Sequence, residues 1–122
     1  MDQFSLEDRM RIIQEIVPGK QITLAHVIAN PDNVLYKKLG LDPKIDYTKS
    51  AIGIVTMSPA ETSIIAGDIA LKAAGIEIGF IDRFSGTLII TGTISEVDAG
   101  LKALTEYCKE TLNFTICNIT RT

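Results

Sequence analysis

Ala51-Ile52-Gly53-Ile54-Val55-Thr56-Met57 is a continuous apolar run of strand length, and Ser58-Pro59-Ala60-Glu61 follows it directly. The run suits a central strand buried on both faces. The four residues after it predict a helix start: Ser58 as cap, Pro59 at the first helical position, Glu61 at the third. That helix should reach Ala74 and stop at Gly75. Ala66, Gly67, Ala70, Ala73 and Ala74 give it small side chains that allow close approach to a sheet or another helix. Gly67 costs about 1 kcal/mol of helix propensity, which close packing has to offset.

Downstream, residues 76–83 and 87–91 read as two strands joined by Phe84-Ser85-Gly86, a hairpin spacing with Gly in the loop. Ser95-Glu96-Val97-Asp98 predicts the cap of a second long helix ending near Leu112. Residues 114–120 alternate strictly and predict a half-exposed strand. Upstream, residues 21–29 read as a strand with Ile22, Leu24, His26 and Ile28 on one face. Asp32 caps a short helix through residues 34–39, Gly40 ends it, and residues 41–50 form a polar loop. Residues 11–17 are strand-like, with Gln14 and Glu15 on opposite faces and Pro18-Gly19 closing the segment. Such a strand suits pairing outside its own domain. The order β-α-β-α-β-β-α-β predicts an α+β fold, with helices on one face of a mainly antiparallel sheet.

The chain has 122 residues, 46% hydrophobic and 22% charged, with a formal charge of −3. One domain able to bury its own core is expected, without disulfide or metal staples. No basic excess is offered to nucleic acid or to an anionic membrane surface. The acidic start Met1-Asp2-Gln3-Phe4 lacks an apolar leader segment, and no apolar run spans a bilayer, so a cytoplasmic protein is expected. Mean hydropathy is +0.23 without any Trp. Burial between identical copies accounts for that apolar surplus, with a merely well-filled α/β core as the alternative.

No catalytic constellation emerges. His26, the one imidazole, has apolar neighbours and no adjacent Ser or Cys, which favours a hydrogen-bonded structural role. Asp82 and Arg83 are adjacent on a strand and point to opposite faces. Cys108 reads as a buried small hydrophobe; Cys117 is expected near the surface, where only a ring of copies would gather thiols for a metal. Residues 75–79 miss both phosphate-loop patterns. No cofactor, metal or catalytic residue is assigned.

Three blocks are more specific. Ile54-Val55-Thr56-Met57-Ser58-Pro59-Ala60-Glu61, residues 65–74 and Ile78-Gly79-Phe80-Ile81-Asp82-Arg83-Phe84-Ser85-Gly86 resemble bacterial microcompartment shell proteins. With residues 17–26 in front and 115–122 behind, the chain is similar to their circularly permuted single-domain class, of the ethanolamine-, propanediol- and choline-utilisation type. The similarity covers about residues 11–122, apart from the loop at 41–50. A segment that ends ordinary members, of the form V-x-V-I-P-R-P-H, is matched near the start by Leu24-Ala25-His26-Val27-Ile28-Ala29-Asn30-Pro31-Asp32. Asn30 and Asp32 stand where the family has Arg and His.

The resemblance implies a permuted shell domain of ferredoxin-like fold over residues 20–122, preceded by residues 1–19 as a tail and barrel strand. It implies a homohexamer that tiles into a shell, with Lys72, Asp68 and Asn30 at the edge between hexamers. Asp82, Arg83, Phe84, Ser85 and Gly86 would form the pore loop. Ile12, Ile13, Gln14, Glu15, Ile16 and Val17 would join five symmetry mates in a parallel β-barrel over the pore. Ile12, Gln14 and Ile16 are expected inside it, because six copies of Glu15 in a dry lumen would be costly. Its partners would be other shell proteins and the targeting peptides of encapsulated enzymes. Taken alone, Lys72 also reads as a solvated helix-end lysine and residues 82–86 as an ordinary turn. A metabolite-binding regulator of ferredoxin-like fold is the rival function, and an enzyme using His26 with Asp82 the second.

Overall fold

The computed structural model describes residues 19–48 and 50–122. The barrel segment predicted at residues 12–17 lies outside them. Five strands, β1 (Gln21–Ile28), β2 (Ala51–Ser58), β3 (Glu77–Asp82), β4 (Thr87–Gly92) and β5 (Thr120–Arg121), form one sheet in the order β3-β4-β2-β1-β5. Three helices accompany them among the described residues: α1 (Asn33–Lys38), α2 (Thr62–Ala73) and α3 (Ile94–Glu110). All ladders are antiparallel except β1 with β5.

β2 sits at the centre, and its apolar run is buried on both faces as expected. Val55, Leu88 and Ile90 face α2 and α3, joining Val97, Leu101, Leu104 and Cys108 in the main core. The buried positions of α3 recur at helical spacing, which is why this helix lies flat on the sheet. α2 buries Ser63, Ala66, Gly67 and Ala70, so small side chains set its close approach. Gly100 lies against Ala70 and the Ile90 side chain, where the two helices meet.

The other face is not bare. Tyr36 of α1 and Leu41 and Tyr47 of the following loop pack on Ile52 and Ile89. The two tyrosine rings stack with centroids 5.5 Å apart, and the Tyr36 hydroxyl donates to the Ser50 carbonyl at 2.7 Å. This corrects two expectations: helices on one face only, and a purely polar loop at 41–50. Leu41, Ile45 and Tyr47 do fall on alternate positions, but the Asp42 and Asp46 side chains accept from Lys44 and Thr48 N–H and turn the segment, so it packs on the sheet without joining it.

Four local expectations also change. In β1 the pairing skips from Ile22–Met57 to Leu24–Thr56, leaving Thr23 as a bulge whose hydroxyl bonds Thr56. One extra residue reverses the parity of the strand. Ile22, Ala25 and Val27 are buried, and Leu24 is turned out with 41% exposed. Ser58 does not cap α2, because it is paired with Gln21 in the β1–β2 ladder; the helix begins at Thr62. α3 is capped by Thr93, not Ser95: Glu96 N–H donates to Thr93 Oγ1 at 3.1 Å and Thr93 N–H to Glu96 Oε1 at 2.9 Å. The last strand shrinks to β5, with one bridge upstream from Gln21 to Thr115. The bridge and β5 keep one register on β1, Gln21 with Thr115 and His26 with Thr120, so the bulge at Thr23 shifts only the pairing with β2.

Candidate functional site

The β3–β4 hairpin holds all five predicted loop residues in one tight turn. Asp82 Oδ1 accepts from Phe84 N–H at 2.8 Å, and Gly86 N–H donates to the Asp82 carbonyl at 2.9 Å. The bond from Phe84 N–H, helped by the Ser85 hydroxyl, holds the Asp82 carboxyl below its usual range. Gly86 has φ +78°, and its carbonyl accepts from Met57 N–H at 2.9 Å, tying the tip to the central strand. A Cβ at Gly86 would overlap the Met57 carbonyl oxygen. The turn is therefore rigid, and it displays Phe84 with 81% of its surface exposed. The Arg83 guanidinium stands 5.0 Å from the centre of the Phe84 ring.

Asp68 and Lys72 lie one turn apart on the outer face of α2, with Nζ and Oδ2 2.7 Å apart. That bond raises the Lys72 pKa. Because an ammonium carries three donors, Lys72 can hold Asp68 and still donate to a second acceptor. Asn30 lies elsewhere, in the turn after β1, and shares no hydrogen bond with this pair among the described residues. Next to it, Asp32 Oδ1 caps α1 by accepting from Val34 N–H at 3.0 Å. The carboxylate standing at the family's His position thus has a local structural task.

His26 is structural. Its Nδ1 bonds Thr120 Oγ1 and its Nε2 bonds Thr122 Oγ1 at 2.9 Å, so the ring pins the C-terminal strand. Between His26 on β1 and Asp82 on β3 stand β2 and β4, a separation of about 14 Å at ordinary strand spacing. They cannot act as one acid–base pair. Cys108 is fully buried and its thiol pKa is raised by that burial, while Cys117 is half-buried. Among the described residues no cluster of His, Cys, Asp and Glu is positioned for a metal ion, and no helix is long and apolar enough to cross a membrane.

A set of exposed apolar side chains was missed by sequence reasoning. α2 buries Ser63, Ala66, Gly67 and Ala70 and leaves Ile64, Ile65 and Leu71 about half exposed. Phe80 and Ile81 on the sheet's outer strand β3 are exposed as well. Ala66, Gly67 and Ala70 were the available signal, since a helix that packs through small side chains points large ones elsewhere.

Residues 51–120 match the profile of the BMC domain. Over 112 residues the chain is 55% identical to the bacterial microcompartment shell protein PduU of Salmonella typhimurium strain LT2, spanning 92% of this chain and 93% of that protein. It is 50% identical over 114 residues to the shell protein EutS of Escherichia coli K12, spanning 93% and 98%. Among solved structures, the flat hexamer of CutR superposes with a TM-score of 0.80 at 43% identity, covering 100% of this chain and 98% of that one.

Proposed function

The chain belongs to the BMC-domain family of bacterial microcompartment shell proteins, and from that premise we propose that its copies close into a hexamer whose edges tile into the shell. The observation that carries this reading is the layout of α2. Its first turn reaches the hairpin, with Ser63 Oγ donating to the Asp82 carbonyl at 3.4 Å. Its last turn carries exposed Lys72. Ten residues separate Thr62 from Lys72, about 15 Å at 1.5 Å per residue. Such a helix is a spoke from an axial loop to a rim, with the loop at one end and the tiling contact at the other.

At the axis, six copies of Asp82, Arg83, Phe84, Ser85 and Gly86 would ring a constriction that selects by size and charge. At the rim, Lys72, oriented by Asp68, would donate to backbone carbonyls of the next hexamer, with Asn30 as a further edge residue. Residues 12–17, four of whose six side chains are Ile or Val, would contribute one strand each to the capping barrel. On this reading the role is structural rather than catalytic. Its partners are its own copies, other shell proteins and the targeting peptides of encapsulated enzymes.

The test is Lys72→Ala. Sedimentation should show hexamers unchanged, while electron microscopy of overexpressed protein should show sheets or tubes suppressed. A variant that tiles like wild type would return Lys72 to the role of a solvated helix-end lysine.

A further inference from the structure

We propose that the cavity between α1 and the loop at residues 41–48 binds a small organic cation, an ammonium group on a compact apolar body. The cavity measures about 610 Å³, a size that suits a small molecule. It is built within one chain, on the sheet face opposite α2 and α3, so it does not depend on the hexamer proposed above.

Its apolar wall is Tyr36, Leu41, Pro43, Ile45 and Tyr47. Tyr36, Leu41 and Tyr47 are anchored on Ile52 and Ile89. The two rings stack, and the Tyr36 hydroxyl is tied to the Ser50 carbonyl. The loop is fixed by its own turns: Asp42 Oδ1 accepts from Lys44 N–H and Asp46 Oδ1 from Thr48 N–H, each at 2.9 Å. The wall therefore stands before any ligand arrives.

Charge chooses the ligand. Asp42, Asp46 and Lys37 line the same cavity. A second cavity of about 250 Å³ shares Ile45, Asp46 and Tyr47 as its wall and adds Glu77 and Glu96, with no basic side chain among its described lining residues. Four carboxylates thus stand against the one ammonium of Lys37. The Thr48 hydroxyl and N–H hold the Asp46 carboxyl below its usual range, so it stays charged at neutral pH. Burial, and then the charges of Asp42 and Glu77, raise the Tyr47 pKa, so both carboxylates act on this ring. Each loop aspartate uses one oxygen in its turn and keeps the other for a donor. A neutral apolar guest would cover those oxygens without bonding them, which costs free energy, and an anion would be repelled. A bare metal ion does not suit either, because among the described residues no such set of side chains is gathered to ligate one. A cation with an apolar body satisfies both the wall and the carboxylates.

Cyclohexylamine is the probe, with cyclohexanol and cyclohexanecarboxylate as its neutral and anionic counterparts. Full-length protein with isotope-labelled tyrosine rings gives three NMR reporters: Tyr36 and Tyr47 in the cavity wall, and Tyr107 on α3 as the control. The amine should shift Tyr36 and Tyr47 saturably, leave Tyr107 in place, and bind at least about tenfold tighter than either counterpart. Asp42→Asn/Asp46→Asn keeps an acceptor for each turn and should lose that preference. Equal binding of cyclohexanol, a variant that binds the amine like wild type, or no saturable shift would each overturn the inference. Tyr36 and Tyr47 signals that move with protein concentration and not with the amine would give the cavity to another chain, and overturn it as well. Should the variant unfold, sodium chloride decides on the wild type: it should weaken the amine and spare cyclohexanol, and an amine affinity indifferent to salt would refute the carboxylate contact.

Discussion

Gly86→Ala is the sharpest test of whether the candidate pore loop is pinned. Two costs add at this position. At φ +78° an L-residue is strained by about 1–2 kcal/mol. The new Cβ would also overlap the Met57 carbonyl oxygen and stand 3.1 Å from Ala60 Cα, both backbone atoms that cannot rotate away. The loop must move, and the 2.9 Å bond from Met57 N–H to the Gly86 carbonyl then breaks. A buried donor left unmade costs about 1–3 kcal/mol. The expected destabilisation is about 2–5 kcal/mol by summing these ranges. Two controls separate the causes. Gly40 has φ +69° with nothing within 4 Å of its Cβ position, so Gly40→Ala should show the dihedral cost alone, about 1–2 kcal/mol. Gly67→Ala meets only flexible Ile ends at 3.4 Å, and should be neutral or stabilising by up to about 1 kcal/mol of helix propensity. Urea unfolding at one fixed protein concentration reads all three, because assembly adds stability by mass action. If Gly86→Ala cost no more than Gly40→Ala, the loop would be free to shift, and a rigid tip presenting Phe84 would be the wrong description.

Acid should loosen the C-terminus through Asp98, which bonds Lys102 at 3.0 Å and Arg121 at 3.3 Å. The Lys102 bond, aided by both positive charges, lowers the Asp98 pKa. A lowered folded-state pKa means its contribution is present above the unfolded value, about 4, and lost as pH falls through the folded one. The amide protection factor of Thr122, whose N–H bonds the Val27 carbonyl, should fall in that window, and Asp98→Asn should lower it at neutral pH. Thr93→Ala should lower stability by about 1 kcal/mol by removing the α3 cap, visible as a lower urea midpoint with unchanged slope.

Much of this fold was legible because its central unit is locally consistent. Residues 51–57 could only be a buried strand, the hairpin at 84–86 carried its own Gly, and α3 followed a clean helical stripe. The misreadings come from local patterns that another pairing overrules, across the sheet for Ser58 and within the same turn for Ser95. Ser58 with Glu61 and Ser95 with Asp98 both imitate a cap followed by an acid at the third position. Ser58 is instead held by Gln21 across the sheet, and Asp98 by Lys102 and by Arg121 from the far end of the chain. Thr93 prevails because its bond with Glu96 is reciprocal, satisfying two terminal N–H groups at once. Likewise nothing in residues 21–28 announces the bulge at Thr23, since the bulge exists only relative to Thr56 on the partner strand.

The candidate site was legible to a different degree at each end of α2. Asp68 and Lys72 pair within one helical turn, a spacing that sequence can show directly. Ile64 and Ile81 meet only through the fold, and what would cover them is, on the reading proposed, another copy. In the composition, the trace such a surface leaves is an apolar surplus. It reports that something is to be buried, without saying where. The structure supplies the location: Ala66, Gly67 and Ala70 inward on α2, Ile64 outward beside the hairpin. An inverted helix of this kind in a one-domain chain is the mark of a surface completed by assembly, because a monomer would gain more by burying its Ile and exposing its Ala.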